Sequence, residues 1–434
     1  MTSRDNDPSG RALAARHEDP SLLGRDASYR PAPLPRRVAA VLSGTRPVLA
    51  VAMERNLGLR AARIRASVSD RVAQRRRPTR PRMRALVLRG PGRLEWRDVP
   101  GPVPPGPDGA VVRPIAMATC DLDRPLALGR TTFPLPLQLG HECIAEVVSI
   151  GEQVRRISVG DQVVVPFQVS CGRCPACASG RTGSCRDVPP LSMFGFGAAG
   201  GAWGGVLADR VGVPFADAML VPLPNGVDPA AAASSADTLA DAYRHVAPHL
   251  ATVLGHPEGP RVVALGAVDR SSPFSASVPL FVGLITRALL PGCDFLLVDE
   301  RPWVRDQAER LGLAAGPVKS LRGRRAPLVV DASASPRGLR IALAAVAADG
   351  WCSCAGILHA SARIPASLMF GRNVTLSIAR SHIREAIPPV LDLLATRQVD
   401  VGGVITQQGS FDDGVELMNA HVLGRHTKTV LTVD

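Results

Sequence analysis

From Met83 onward the rhythm of apolar positions divides the chain in two. Up to about Leu223 the apolar runs are short, as in Ala110 to Arg113, Ile144 to Ile150 and Gln162 to Val165. Glycine- and proline-rich turns separate them, which predicts a mostly β unit closed by Pro222, Pro224 and Gly226. Gly195 to Gly205 reads as a loop inside that unit, because strand text resumes directly after it. From about Ala230 the rhythm changes to helical stretches alternating with apolar strands: Ala230 to Val246, Arg261 to Leu265, Val278 to Leu290, Phe295 to Val298, Trp303 to Leu311, Leu328 to Val330 and Pro336 to Ala348. Such alternation predicts a parallel sheet covered by helices, with any nucleotide site at the carboxyl ends of its strands. Ile387 to Asp434 then reads as one helix, a turn-rich β section and a last strand, Lys428 to Val433. The most apolar run, Val278 to Val298, is interrupted by Arg287 and by Pro291-Gly292, so it predicts a buried helix followed by a strand rather than a membrane span.

Charge matters only after it is divided along the chain. The net charge of +13 suggests a nucleic-acid binder, yet residues 1–82 hold 18 Arg against 7 acidic residues, a balance of +11. The remainder, with 33 basic and 31 acidic residues, stands at only +2. The excess lies outside the part that reads as folded, so neither a nucleic acid nor a membrane is expected as partner. Residues 1–82 read as a disordered Arg-rich tail or as an extended start ahead of Met83, whose Met83 to Leu88 text opens like a first strand. The tail lacks the apolar core of a secretory signal, and its acidic residues argue against a transit peptide. Nine Cys residues, five in metal-type positions, suit a reducing compartment, so a cytoplasmic location is expected.

Those positions carry the candidate chemistry. Cys171, Cys174 and Cys177 recur every third residue and Cys185 follows, a spacing that lets four thiolates close a tetrahedron around Zn²⁺ with no position left for substrate. Upstream, Cys120 and the Gly140-His141-Glu142 triplet offer a thiolate and an imidazole from separate segments, the usual way an open catalytic zinc site is assembled.

With these landmarks in order, residues 83–434 resemble the zinc-containing medium-chain alcohol dehydrogenases; Gly204-Gly205 before Val213-Pro214 and the closing Thr427 to Leu431 also match. The resemblance implies an α/β protein: a GroES-like, mostly β catalytic domain (83–236, completed by 381–434) and an inserted Rossmann domain, a doubly wound parallel sheet (237–380). It implies Cys120, His141 and Asp237 as ligands of a catalytic zinc, Asp237 standing where many members have Cys, as in the formaldehyde-dehydrogenase-type branch. Glu142 and Asp123 match acids beside that metal. Two zinc ions per chain, one catalytic and one structural, are thus implied, with a small alcohol or aldehyde as substrate and hydride transfer to nicotinamide as the reaction. Homodimers or homotetramers are usual in the family, and Trp351 to Val374 includes the kind of edge strand that pairs.

The chain also departs from the family pattern. Leu122 and Pro125 stand where a proton relay is usual, leaving Asp121 or water as substitutes. The glycine-rich phosphate loop reads Gly266-Ala267-Val268-Asp269-Arg270-Ser271, keeping only its first glycine. This predicts that Val268 to Ala276 bulges out and that the helix starts near Ser277, its amides joined by Ser275 and Ser277 in holding phosphate, although Pro279 removes one donor. Asp299 follows the second strand, where a carboxylate takes the ribose hydroxyls and favours NAD over NADP, although Arg301 two residues on leaves NADP open. Lys428 matches a basic position facing the pyrophosphate, and Asp241 a position beside nicotinamide. The eroded loop motivates two alternatives: a lyase or dismutase retaining its nicotinamide, or a non-catalytic zinc-stabilised binding protein.

Overall fold

The computed structural model describes residues 81–356 and 361–433. The reading of residues 1–82 therefore lies outside the described residues, except for its last two positions.

Strands β1 (Arg82–Gly90), β2 (Arg93–Pro100) and β4 (Leu137–Gln138) form a small antiparallel sheet in the order β2-β1-β4. A seven-stranded sheet runs β15-β16-β3-β5-β6-β8, with β7 also paired to β3. Its members are β3 (Ala110–Ala118), β5 (Glu142–Ile150), β6 (Gln162–Val165), β7 (Val211–Val213), β8 (Val221–Pro222), β15 (Ile405–Ser410) and β16 (Lys428–Thr432). The carboxyl-terminal strands thus return to the amino-terminal sheet: Val430 lies opposite Ala118 and Leu431 opposite Met117. Met117, Cys143, Val163 and Leu431 are all fully buried in one apolar core beneath this sheet.

The third sheet is parallel, in the order β11-β10-β9-β12-β13-β14, built from β9 (Arg261–Leu265), β10 (Asp294–Val298), β11 (Ala315–Gly316), β12 (Ala326–Asp331), β13 (Val346–Cys354) and β14 (Thr375–Ile378). Every residue of β12 is buried, as a central strand covered on both faces requires. The edge strands are β11 and β14, and β14 lies just beyond the Trp351 to Val374 stretch in which the sequence placed a pairing edge.

Among the helices of the described residues, those that bear on the site and its sheets are α1 (Asp123–Ala127), α2 (Thr238–Val246), α3 (Ser277–Leu289), α4 (Pro302–Arg310), α5 (Pro336–Ala345), α6 (Ile383–Ala395) and α7 (Gly414–Leu423). Helix α3 begins where the sequence places it, and its first ten residues are buried. The stretch Ala230 to Val246 departs from a single helix. It breaks into short turns ending at Asp237, whose backbone (φ −151°, ψ −88°) leaves the helical region before α2 starts. Among the described residues no helix is long and apolar enough to cross a membrane.

Candidate metal centre and cofactor cleft

Three segments deliver the central group. Cys120 follows β3, where Thr119 N–H donates to the Thr429 carbonyl of β16 at 2.9 Å and sets the direction of the chain. His141 and Glu142 enter β5 directly after Gly140, whose φ of +89° a side chain would oppose. Asp237 sits at the helix break. Ligand atoms of Cys120, His141, Glu142 and Asp237 all lie within 4.8 Å of one another.

The group is unbalanced without a cation. His141 is 1% exposed, yet neither ring nitrogen has a well-directed hydrogen bond among the described residues. Nε2 lies 3.3 Å from Asp237 Oδ2, and Nδ1 lies 3.9 Å from Asp123 Oδ1. Burial alone would lower the His141 pKa, but Asp123 and Asp237 outweigh it and raise it to about 9. The Cys120 thiol is pushed far up by burial, then by the charges of Asp237, Glu142 and Asp123. A buried thiol, an unpartnered imidazole and a carboxylate facing one point form a donor set suited to Zn²⁺, which would reverse each of these penalties. Asp123, at the start of α1, accepts the Cys120 N–H at 2.7 Å through Oδ2 and so orients the thiol segment.

Glu142 is positioned differently from Cys120, His141 and Asp237. Its Oε1 accepts from the Thr238 amide at 3.2 Å and the Thr238 hydroxyl at 2.7 Å, while Lys428 Nζ donates to Oε2 at 2.9 Å. Lys428 also donates to Thr238 Oγ1 at 2.8 Å and to the Thr119 carbonyl, and both charged side chains are 0% exposed. Burial raises the Glu142 pKa to about 7 against the opposing pull of Lys428. Both carboxylate oxygens are thus engaged beside the metal position. The sequence reading missed Thr238 and Thr119, and no local motif marks either.

Aromatic side chains wall the group. The His141 ring stands 4.8 Å from Phe196 and 5.9 Å from Phe167, and Phe133 packs against Phe196 at 4.8 Å with its ring tilted by 47°. Met193 and Phe274 complete an apolar cluster with Cys120 and Leu122, which suits a small, weakly polar substrate.

The four-cysteine lobe gathers as its spacing predicts. Its thiol sulfurs lie within 4.8 Å of one another, with Cys171 and Cys177 at 4.0 Å and Cys174 and Cys185 at 3.9 Å. Sulfurs bound tetrahedrally to zinc are about 3.8 Å apart. Backbone N–H groups point at them: Arg186 to Cys174 at 3.4 Å, Cys174 to Cys171 at 3.3 Å and Cys171 to Cys185 at 3.4 Å. The Arg186 and Cys177 amides help to lower the Cys174 pKa to about 6, whereas burial pushes the Cys171 thiol up to about 11 and the Cys177 thiol further up.

The residues expected to hold a cofactor behave otherwise. Asp299 is fully buried; Arg301 donates to both its oxygens, at 2.9 and 2.8 Å, and the Ala267 amide adds 2.9 Å. It cannot at the same time take ribose hydroxyls. A Cβ on Gly266 would collide with that carboxylate, so the loop has no room for a side chain there. Arg301 further donates to the carbonyls of Phe274 and Ser275, tying the bulged loop to the end of β10, and Val268 is buried at 4% exposure. Ser275 turns inward to His421 Nε2 at 3.2 Å. Ser277 is the first residue of α3 rather than its cap, and its amide and hydroxyl both bond to Asp121. Lys428, expected at the pyrophosphate, is enclosed with Glu142. Asp241 pairs with Arg244 at 2.5 Å and lies 3.3 Å from His245; burial would raise its pKa, but the Arg244 charge and the His245 contact hold it far below the usual carboxylate range.

Comparison with known proteins supplies the family context. The alcohol dehydrogenase GroES-like domain profile matches residues 106–225. A probable zinc-binding alcohol dehydrogenase of Mycobacterium tuberculosis is 31% identical over 344 residues, covering 77% of this chain and 84% of that protein. A glutathione-independent formaldehyde dehydrogenase of Pseudomonas aeruginosa is 40% identical over 151 residues, 33% of this chain but only 38% of that protein. Among solved structures, the alcohol dehydrogenase TADH from Thermus sp. ATN1 superposes with a TM-score of 0.72 at 25% identity, covering 81% of this chain and all of that one.

Proposed function

The chain belongs to the zinc-type medium-chain alcohol dehydrogenase family, and on that premise we propose that it interconverts a small alcohol and its aldehyde or ketone by hydride exchange with a nicotinamide dinucleotide. The observation that carries this reading is the convergence of Cys120, His141 and Asp237, from three distant segments, on one buried point. Zinc held there supplies Lewis-acid polarisation of the substrate oxygen. The residues around it do the positioning. Asp123 fixes the Cys120 segment through its amide, and Lys428 with Thr238 holds Glu142 beside the metal position. Phe133, Phe167 and Phe196 keep water from the apolar side of the site. The Cys171 to Cys185 lobe is proposed as a closed structural zinc site.

The fit is one-sided. The donor set suits zinc, whereas the cleft as folded presents its phosphate-binding amides and Asp299 already engaged. With its carboxylate occupied, Asp299 does not rank NAD over NADP, and either dinucleotide is compatible with the proposed reaction. We further propose the domain division at residues 237 and 381, and a homodimer through the edge strand β14. Ile378 at the end of that strand is 56% exposed, and the nearby Phe370 is 90% exposed.

Metal analysis tests the proposal. The full chain is expected to hold two zinc ions, and Cys120→Ser and Cys171→Ser each to hold one. Asp237→Ala is expected to keep its far-UV circular dichroism but lose oxidation of small alcohols. Unchanged zinc content in Cys120→Ser would overturn the catalytic assignment.

A further inference from the structure

A metal ligand is only as well placed as the groups that hold its segment. The Cys120 segment is held on its own side by Asp123, whose Oδ2 accepts the Cys120 amide at 2.7 Å, and by Lys428, which donates to the Thr119 carbonyl. Asp121, between these anchors, bonds across to another element. Its Oδ1 accepts the Ser277 amide at 2.8 Å and the Ser277 hydroxyl at 2.6 Å, and its Oδ2 accepts the Val278 amide at 3.1 Å. Both carboxylate oxygens are thus fixed on the first turn of α3, 156 residues away in the chain. Adjacent Cα atoms are about 3.8 Å apart, so what fixes Asp121 also restrains the Cys120 backbone.

The support is itself firmly seated. Ser277 and Val278 are buried, Pro279 has no N–H, and the Leu280 amide bonds to the Ala276 carbonyl at 3.4 Å. Arg301 pins the preceding loop through the Phe274 and Ser275 carbonyls. With its amides taken by Asp121 and its loop held, this helix end does not fit a phosphate group. One turn further along α3, the Phe281 ring lies 5.6 Å from Lys428 Nζ, the ammonium group that donates to Glu142 at 2.9 Å. Helix α3 therefore meets the surroundings of the metal position at two separate points, through Asp121 and through Lys428.

We propose that Asp121 is a positioning residue for the metal centre: by capping α3 it fixes the Cys120 segment against the parallel-sheet part of the molecule and so sets where the thiolate meets the ion. The positive end of a helix, which can receive a bound anion, here holds a carboxylate of the chain itself and through it a ligand segment. The inference rests on the proposed catalytic zinc and requires no particular substrate or coenzyme.

The test is partition of zinc between the full chain and a chromogenic chelator, which resolves the catalytic ion from the four-cysteine ion. Loss of a group that orients a metal ligand weakens affinity by about 10- to 100-fold. Asp121→Ala is expected to weaken the catalytic ion about tenfold and leave the four-cysteine ion unchanged. Asp121→Asn keeps an acceptor for Ser277 but none for the Val278 amide, and should fall between. Ser277→Ala, which alters a partner of Asp121 rather than a ligand, should shift the same ion in the same direction, with no added effect on top of Asp121→Ala. With cobalt(II) in the emptied catalytic position, weaker cobalt–thiolate absorption in Asp121→Ala reports displacement of the sulfur, which a general loss of stability does not produce. Equal affinity for the catalytic ion in Asp121→Ala and the unaltered chain would overturn the proposal, as would equal weakening at both sites. If Asp121→Ala loses its helical signal, Asp121→Asn decides by the same criterion. An unaltered chain that holds only the four-cysteine zinc would remove the catalytic-zinc reading, and the positioning role with it.

Discussion

Replacing Lys428 by Met keeps most of the apolar stem and removes one charge from a place water does not reach. Lys428 and Glu142 are both 0% exposed and 2.9 Å apart, and the ammonium group also serves Thr238 Oγ1 and the Thr119 carbonyl. After the substitution Glu142 retains only the two donors of Thr238, and the Thr119 carbonyl loses its side-chain donor. Removing one partner of a buried pair costs about 3–5 kcal/mol, because the remaining charge is left uncompensated. That is a large share of the roughly 5–15 kcal/mol that holds a domain folded. Removing both charges costs less, so Lys428→Met with Glu142→Gln should recover part of the loss. Urea denaturation of the zinc-replete chain, followed by circular dichroism for the two single variants and the double, measures this coupling. A loss below about 1 kcal/mol in Lys428→Met, the range of a solvent-exposed pair, would refute the reasoning. So would a double variant whose loss equals the sum of the singles.

Particular contacts set the other expectations. Burial raises the Asp331 pKa to about 6, against the opposing bonds from Ser333. The folded state therefore holds its proton more tightly than the unfolded chain. This group's contribution is present below about pH 4 and is lost as pH rises through about 6, by about 3 kcal/mol. Asp331→Asn should flatten that part of a stability-against-pH curve, and an unchanged slope would count against it. At Gly195, φ is +79° and a Cβ would stand 2.6 Å from the Gly140 carbonyl and 3.2 Å from His141 Cβ. Gly195→Ala is thus expected to displace His141, lowering affinity at the catalytic zinc while sparing the four-cysteine site, which titration with a chromogenic chelator distinguishes. Chelator treatment of the intact chain should lower its thermal midpoint, and added zinc should restore it; a midpoint indifferent to chelation would remove the structural role from the Cys171 to Cys185 lobe.

The parts of this protein legible in its sequence are those governed by short reach. Four cysteines within 15 residues have few ways to be arranged other than around one point, and they gather as that spacing requires. The switch from turn-separated short strands to alternating strands and helices near residue 230 reports local backbone geometry and burial, so the parallel sheet could be anticipated from it. Residue chemistry also singled out Cys120 and His141, and a family resemblance added Asp237; their approach to one another belongs to the packed molecule.

Tertiary structure alone decided the partners of the remaining polar groups. Asp299 and Arg301 are two residues apart, yet their pairing depends on a loop that brings the Phe274 and Ser275 carbonyls to the same guanidinium. Lys428 reads as a phosphate contact until β16 places it beside Glu142, and Asp121 reads as a substitute for the missing proton relay until the helix end arrives from 156 residues away. A buried polar group must find a partner, and which partner lies within about 3 Å is settled by how the chain packs, which local spacing does not encode.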